Sequence, residues 1–83
     1  MILRINIADL TKLPPLVTNL LIKQKDIAQL GIYCKGNRID DCWQVIGGSS
    51  SKLNAIKDIL KCKGVRVEEL KNRIRGETQD DRN

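Results

Sequence analysis

The chain has 83 residues, with 15 Lys and Arg against 10 Asp and Glu, no histidine and a formal charge of +5. That length leaves room for one domain, and so short a chain buries only about 60–65% of the surface its unfolded form exposes, so its core is thin. Charged residues make up 30%, and no apolar run approaches the ~18 residues of a membrane span, so the composition excludes a transmembrane protein.

Residues 2–7 alternate, with Leu3, Ile5 and Ile7 on one side and Arg4 and Asn6 on the other, which predicts a half-buried strand. Residues 8–12 turn the chain. Pro14-Pro15 fits only the first turn of a helix, where the backbone N–H groups have no partner anyway. A short helix is therefore expected from about 14 to 24, with Leu16, Val17, Leu20 and Leu21 as its apolar stripe. A second strand follows over 28–34, placing Leu30, Ile32 and Cys34 on one side and Tyr33 on the other. Lys35-Gly36-Asn37-Arg38 reads as a hairpin turn, leading into a third strand over 39–46. There Trp43 and Val45 share one face, while Cys42, Gln44 and Ile46 share the other.

Gly47-Gly48 breaks that strand, and Ser49-Ser50-Ser51 supplies N-cap candidates for a second helix over 52–62. Leu53, Ile56, Ile59 and Leu60 line its apolar face. Gly64 suits the position just past its end. Val65 and Val67 then alternate with Arg66 and Glu68 in a fourth strand reaching Leu70. These elements make 1–70 a single domain, and the polar residues 71–83 read as a flexible C-terminal tail.

The order β-α-β-β-α-β predicts an α+β fold of ferredoxin-like type, a four-stranded antiparallel sheet with two helices on one face. Its core must come from Leu, Ile and Val, because Tyr33 and Trp43 are the only aromatic residues.

The chemistry-bearing residues are few. Cys34, Cys42 and Cys62 make an odd number without C-x-x-C spacing, which points to a reducing, cytoplasmic setting. Cys34 and Cys42 flank the hairpin turn and are the candidate metal ligands, although two thiolates do not complete a tetrahedral site without a second chain. Packing as small hydrophobes is their alternative role. Gly47-Gly48-Ser49 opens a helix and offers free amides to an anion, and equally forms a simple turn and cap. No hydrolase signature is present. Asp40 and Asp41 are adjacent in sequence and so point apart on a strand. Without histidine, the commonest general base near neutral pH is missing. The chain is not expected to be an enzyme, and no cofactor is assigned. Basic residues are scattered among acids and form no dense stripe.

From Leu30 to Leu70 the sequence resembles two families of ACT-like regulatory domains. Asp41-Cys42-Trp43-Gln44-Val45-Ile46, a following helix and Lys63-Gly64-Val65 resemble the C-terminal domain of nickel-responsive ribbon-helix-helix repressors. The spacing from Gly31 to Gly64-Val65-Arg66-Val67 is similar to that of the small iron-only hydrogenase system regulators. The resemblance implies a ferredoxin-like module that assembles as a dimer or tetramer and, in the repressor case, senses a metal at a subunit interface. Only Cys42 falls on a ligand position of that family, with Cys34 near the place of a family histidine. The ribbon-helix-helix segment has no counterpart in the sequence.

Together these readings lead to a small non-enzymatic regulatory or sensor module that self-associates and binds a small effector or metal at the interface. Cys34, Cys42, Trp43, Gln44, Gly47, Gly48 and Ser49 are the expected ligand or interface residues. A nucleic-acid-binding accessory protein and an adaptor subunit of a larger complex are the alternatives, and no membrane partner is expected.

Overall fold

Alternating apolar residues near the N-terminus form β1 (Ile2–Asn6), and Asn6 ends it by capping the next element. The Asn6 side-chain oxygen accepts the backbone N–H of Asp9 at 3.1 Å, which stabilises one helical turn, α1 (Ile7–Leu10). Residues 8–12 thus contain a short helix, and Ile7 begins it instead of extending the strand. In this computed structural model, which describes residues 1–70, the chain continues through α2 (Pro15–Ile22) and β2 (Ala28–Cys34). A 3-10 turn (Ile39–Asp41), β3 (Cys42–Gly47), α3 (Ser50–Cys62) and β4 (Val67–Leu70) complete it. The tail expected over 71–83 lies outside the described residues.

The strands form one open sheet in the order β2-β3-β1-β4, with every neighbouring pair antiparallel. The protein is therefore a small α+β fold with a four-stranded antiparallel sheet and helices, as expected at that level. Register assigns the faces, because directly opposed residues project to the same side. Leu3 opposes Ile46, and Ile5 lies between Gln44 and Val67. On the other face Arg4 lies between Val45 and Glu68, and Asn6 opposes Trp43. Ile22 of α2 and Leu53, Ile56 and Leu60 of α3 join Leu3, Ile5 and Ile46 in one core cluster.

The helix α3 is bounded as its sequence suggests. Ser49 Oγ accepts the Lys52 backbone N–H at 3.4 Å. At the other end Gly64 adopts φ +81°, and the N–H groups of Gly64 and Val65 donate to the carbonyls of Lys61 and Leu60, both at 3.0 Å. This paired arrangement satisfies two carbonyls that the helix leaves without partners.

Three local expectations need correction. The apolar stripe of α2 is rolled, so Ile22 enters the core while Leu16 and Leu20 stay 70% and 65% exposed. Val17, Thr18 and Leu21 form the half-covered inner side instead. The third strand begins at Cys42, not Ile39. Asp41 N–H donates to the Arg38 carbonyl at 3.0 Å, closing the 3-10 turn, and Asn6 Nδ2 holds the Asp40 carbonyl at 2.9 Å. In β2 the alternation is broken by a register shift between Gln29 and Gly31, where Gly31 takes φ +117°. Every residue of β2, an edge strand, is exposed, so the side expected to carry Leu30, Ile32 and Cys34 is not covered.

Candidate functional site

The hairpin of β2 and β3 carries five of the residues singled out by sequence, Cys34, Cys42, Trp43, Gln44 and Gly47. Cys34 opposes Cys42 across the two strands, and their sulfurs are joined as a disulfide with Cα atoms 4.0 Å apart. Their proximity follows from the register. A disulfide offers no thiolate to a metal, so the ligand role expected of this pair belongs to its reduced form. Cys62, the third cysteine, is free and exposed on α3. Among the described residues no three His, Cys, Asp or Glu side chains gather as a metal cluster.

Trp43 and Gln44 are adjacent and face opposite ways, as strand geometry requires. Trp43 lies on the outer sheet face and is only 8% exposed, with the Arg4 guanidinium 4.8 Å from its ring centroid. Arg4 is also paired with Glu68, donating through Nε at 2.8 Å and through Nη2. Ring and cation are thus occupied with each other. Gln44 faces the helix side, where its Nε2 donates to Gln29 Oε1 at 2.9 Å. Gln29 in turn donates to the Ile22 carbonyl at 2.7 Å, linking β3, β2 and the end of α2.

Gly47, Gly48 and Ser49 sit at the opposite end of β3 from Cys42, so the expected site residues fall into two groups. Gly47 is held closely: a Cβ there would stand 3.2 Å from Leu30 Cδ1. The Gly48 N–H donates to the Met1 carbonyl at 3.1 Å, while the terminal amine donates to the Gly48 carbonyl at 3.1 Å. Ser49 serves as the helix cap. Beside it Lys52 Nζ contacts both oxygens of Asp26 at 2.8 Å, and this bond holds the Asp26 carboxyl below its ordinary pKa. The amide and the cation nearest this turn are therefore engaged within the chain.

Three features were not singled out by sequence. The first is a polar knot. Asn6, fully buried, and Asp9, nearly so, meet Arg66 from the segment before β4. The second is the bare edge of β2, on which Leu30, Ile32 and Tyr33 are all more than half exposed. No periodicity reveals it, because burial of an edge depends on what lies beside it.

The third is an open cavity of about 400 Å³ between α1 and α2, within the size range of small-molecule sites. Ile7, Leu10 and Leu13 give it an apolar wall, and Thr18, Lys23 and Gln44 contribute polar groups. Neither helix would disclose it alone, since it is the gap between them.

Compared with protein-family models, curated proteins and solved structures, the chain matches none. Among the described residues no helix is long and apolar enough to cross a membrane.

Proposed function

We propose that this chain is a small non-enzymatic regulatory module of ACT-like, ferredoxin-like build, working as a homodimer paired along β2. The element order and the strand order β2-β3-β1-β4 support the architectural part of this reading. The single observation that carries the functional part is the state of β2. It is seven residues long, exposed throughout, and contains no charge and no proline. Edge strands that must remain unpaired ordinarily carry such residues, because a free row of N–H and C=O groups templates another strand. At the other edge β4 carries Glu68 and Glu69 side by side. The asymmetry favours β2 as the edge that is covered.

The hydrogen-bonding pattern supports the same edge. Lys35 N–H donates to the Asp41 carbonyl at 3.0 Å, so this opposed pair is a hydrogen-bonded one. Counting back along the ladder, Cys34 and Ile32 occupy non-bonded positions and direct their backbone groups away from β3. Two copies related by a twofold axis at Ile32 would exchange those bonds. Ile32 would then oppose its equivalent, and Tyr33 would cover the space above Gly31 of the second copy. Because β3 is paired on both sides, Trp43 and Gln44 stand one strand behind that interface and do not line it.

This reading sets the chain in the cytoplasm. There the Cys34–Cys42 bond is open to reduction unless its potential lies below that of the thiol pool. Sedimentation equilibrium tests the assembly. The wild-type chain is expected to sediment as a dimer and Ile32→Lys as a folded monomer with unchanged far-ultraviolet circular dichroism. A wild-type monomer at every concentration up to the solubility limit would overturn the reading.

A further inference from the structure

The cavity between α1 and α2 has an uneven chemistry. One side is formed by Ile7, Leu10 and Leu13, while Lys23 at the end of α2 supplies the one charge among the described lining residues. Among the described residues no Asp or Glu lines it. Among the described residues Lys23, like Lys25, Lys35, Lys61 and Lys63, makes no ion pair, and of these five it is the one that lines the cavity. Asp9, the acid on α1, is taken up by Arg66 and Lys12. The Gln44 carboxamide is held by its bond to Gln29, which leaves its remaining polar capacity beside the cavity.

We propose that this groove binds a small apolar monocarboxylate that lacks an ammonium group. The hydrocarbon part lies against Ile7, Leu10 and Leu13, and the carboxylate meets Lys23, with Thr18 and Gln44 beside it. An isolated cation above an apolar wall favours one negative charge, and the area of that wall sets a preference for branched or ring-bearing chains. An α-amino acid of the same shape fits less well. Its ammonium would sit near Lys23 without a carboxylate to receive it, and like charges in a partly enclosed site repel.

The proposal deepens the regulatory reading by locating an effector, and it rests on that reading only for its purpose. The groove belongs to one copy, so its occupancy does not require self-association. Its rim nevertheless connects to the dimer edge, because Gln44 is bonded to Gln29 of β2 and Gln29 to the end of α2.

Calorimetric titration of the full chain with isocaproate, isocaproamide and leucine tests the proposal. Isocaproate is expected to bind at least about tenfold more tightly than the other two, a difference of about 1.4 kcal/mol. Lys23→Gln should abolish the preference of acid over amide, with thermal unfolding unchanged because Lys23 is exposed. Lys57→Gln, on the far helix, should leave the preference intact. Equal binding of acid and amide, or no binding of either, overturns the proposal. Binding of isocaproate by a wild-type chain that is monomeric would sustain the groove and remove the dimer, so the two readings fail separately.

Discussion

Asp9 Oδ2 accepts two hydrogen bonds from Arg66, one from the backbone N–H at 3.0 Å and one from Nε at 2.8 Å. The Arg66 Nη2 reaches on to Asn6 Oδ1 at 3.1 Å, and the Arg66 carbonyl accepts the Asn6 N–H at 2.9 Å. Three distant pieces of chain meet here: the junction of β1 with α1, the 3-10 turn through the Asp40 carbonyl, and the entry to β4. Asn6 and Asp9 are buried and Arg66 is half exposed, so removing Arg66 leaves the Asp9 carboxylate buried without its main partner.

Stability should depend on Asp9 in a pH-specific way. The side-chain bond from Arg66, followed by its backbone N–H, holds the Asp9 carboxyl below its ordinary pKa. A carboxyl depressed on folding contributes stability that is present above its unfolded-state pKa and is lost as pH falls through the folded value. Urea midpoints should therefore be flat near neutrality and fall below about pH 4. Asp9→Ala should cost about 1–3 kcal/mol at pH 7 and flatten the acid limb. An acid limb as steep as the parent's would assign the loss to other carboxylates.

The hairpin disulfide should behave as a removable clamp. Cys34 and Cys42 close a loop with a sequence separation of 8, for which the chain-entropy argument gives about 2.5 kcal/mol. Thiol titration of the native oxidised chain should find the single free group, Cys62, and complete reduction should release all three. Cys34→Ser should lower the urea midpoint by the corresponding amount while keeping the fold. Three reactive thiols in a chain purified without reductant would show the bond does not form under those conditions.

Trp43 is the only tryptophan, which makes the outer sheet face readable by fluorescence. With 8% exposure and Arg4 above the ring, its emission should be blue-shifted relative to the unfolded chain. Arg4→Ala removes both the cation–π contact and the pair with Glu68. It should shift the emission to the red and cost about 1 kcal/mol. Arg4→Lys should recover only part of the loss, because an ammonium lacks the planar stacking and the fork of donors. An unchanged spectrum for the alanine variant would mean that other groups shield the indole.

The elements with strong local signals were legible before any coordinates. In α3 a serine cap, an apolar face repeating at helical spacing and a terminal glycine all agree, and the helix runs Ser50–Cys62. The alternation of Leu3 and Ile5 with Arg4 placed β1, and the same period separated Trp43 from Gln44. The candidate site was only partly legible. The closeness of Cys34 and Cys42 followed from hairpin register, whereas the distance between that pair and Gly47-Gly48-Ser49 is set by the length of β3.

The roll of α2 was hidden because Leu16, Val17, Leu20 and Leu21 span too wide an arc to choose one inward direction. The choice falls to Ile22, which reaches a core already shaped by α3 and β1. The knot of Asn6, Asp9 and Arg66 was hidden for another reason. Its members are up to 60 residues apart, and short-range periodicity carries no information about polar groups that meet only after the chain has folded.

The sequence by itself determined the main strands and the two longer helices, since capping, alternation and glycine placement act over a few neighbouring residues, but not α1 or the 3-10 turn at Ile39–Asp41. The tertiary structure decided what those segments leave open: the uncharged edge of β2, the groove between α1 and α2 and the exposed ridge of Leu16 and Leu20. An edge, a gap or an uncovered face is a relation between elements brought together from different parts of the chain. It exists only once packing has settled which of them lies beside which.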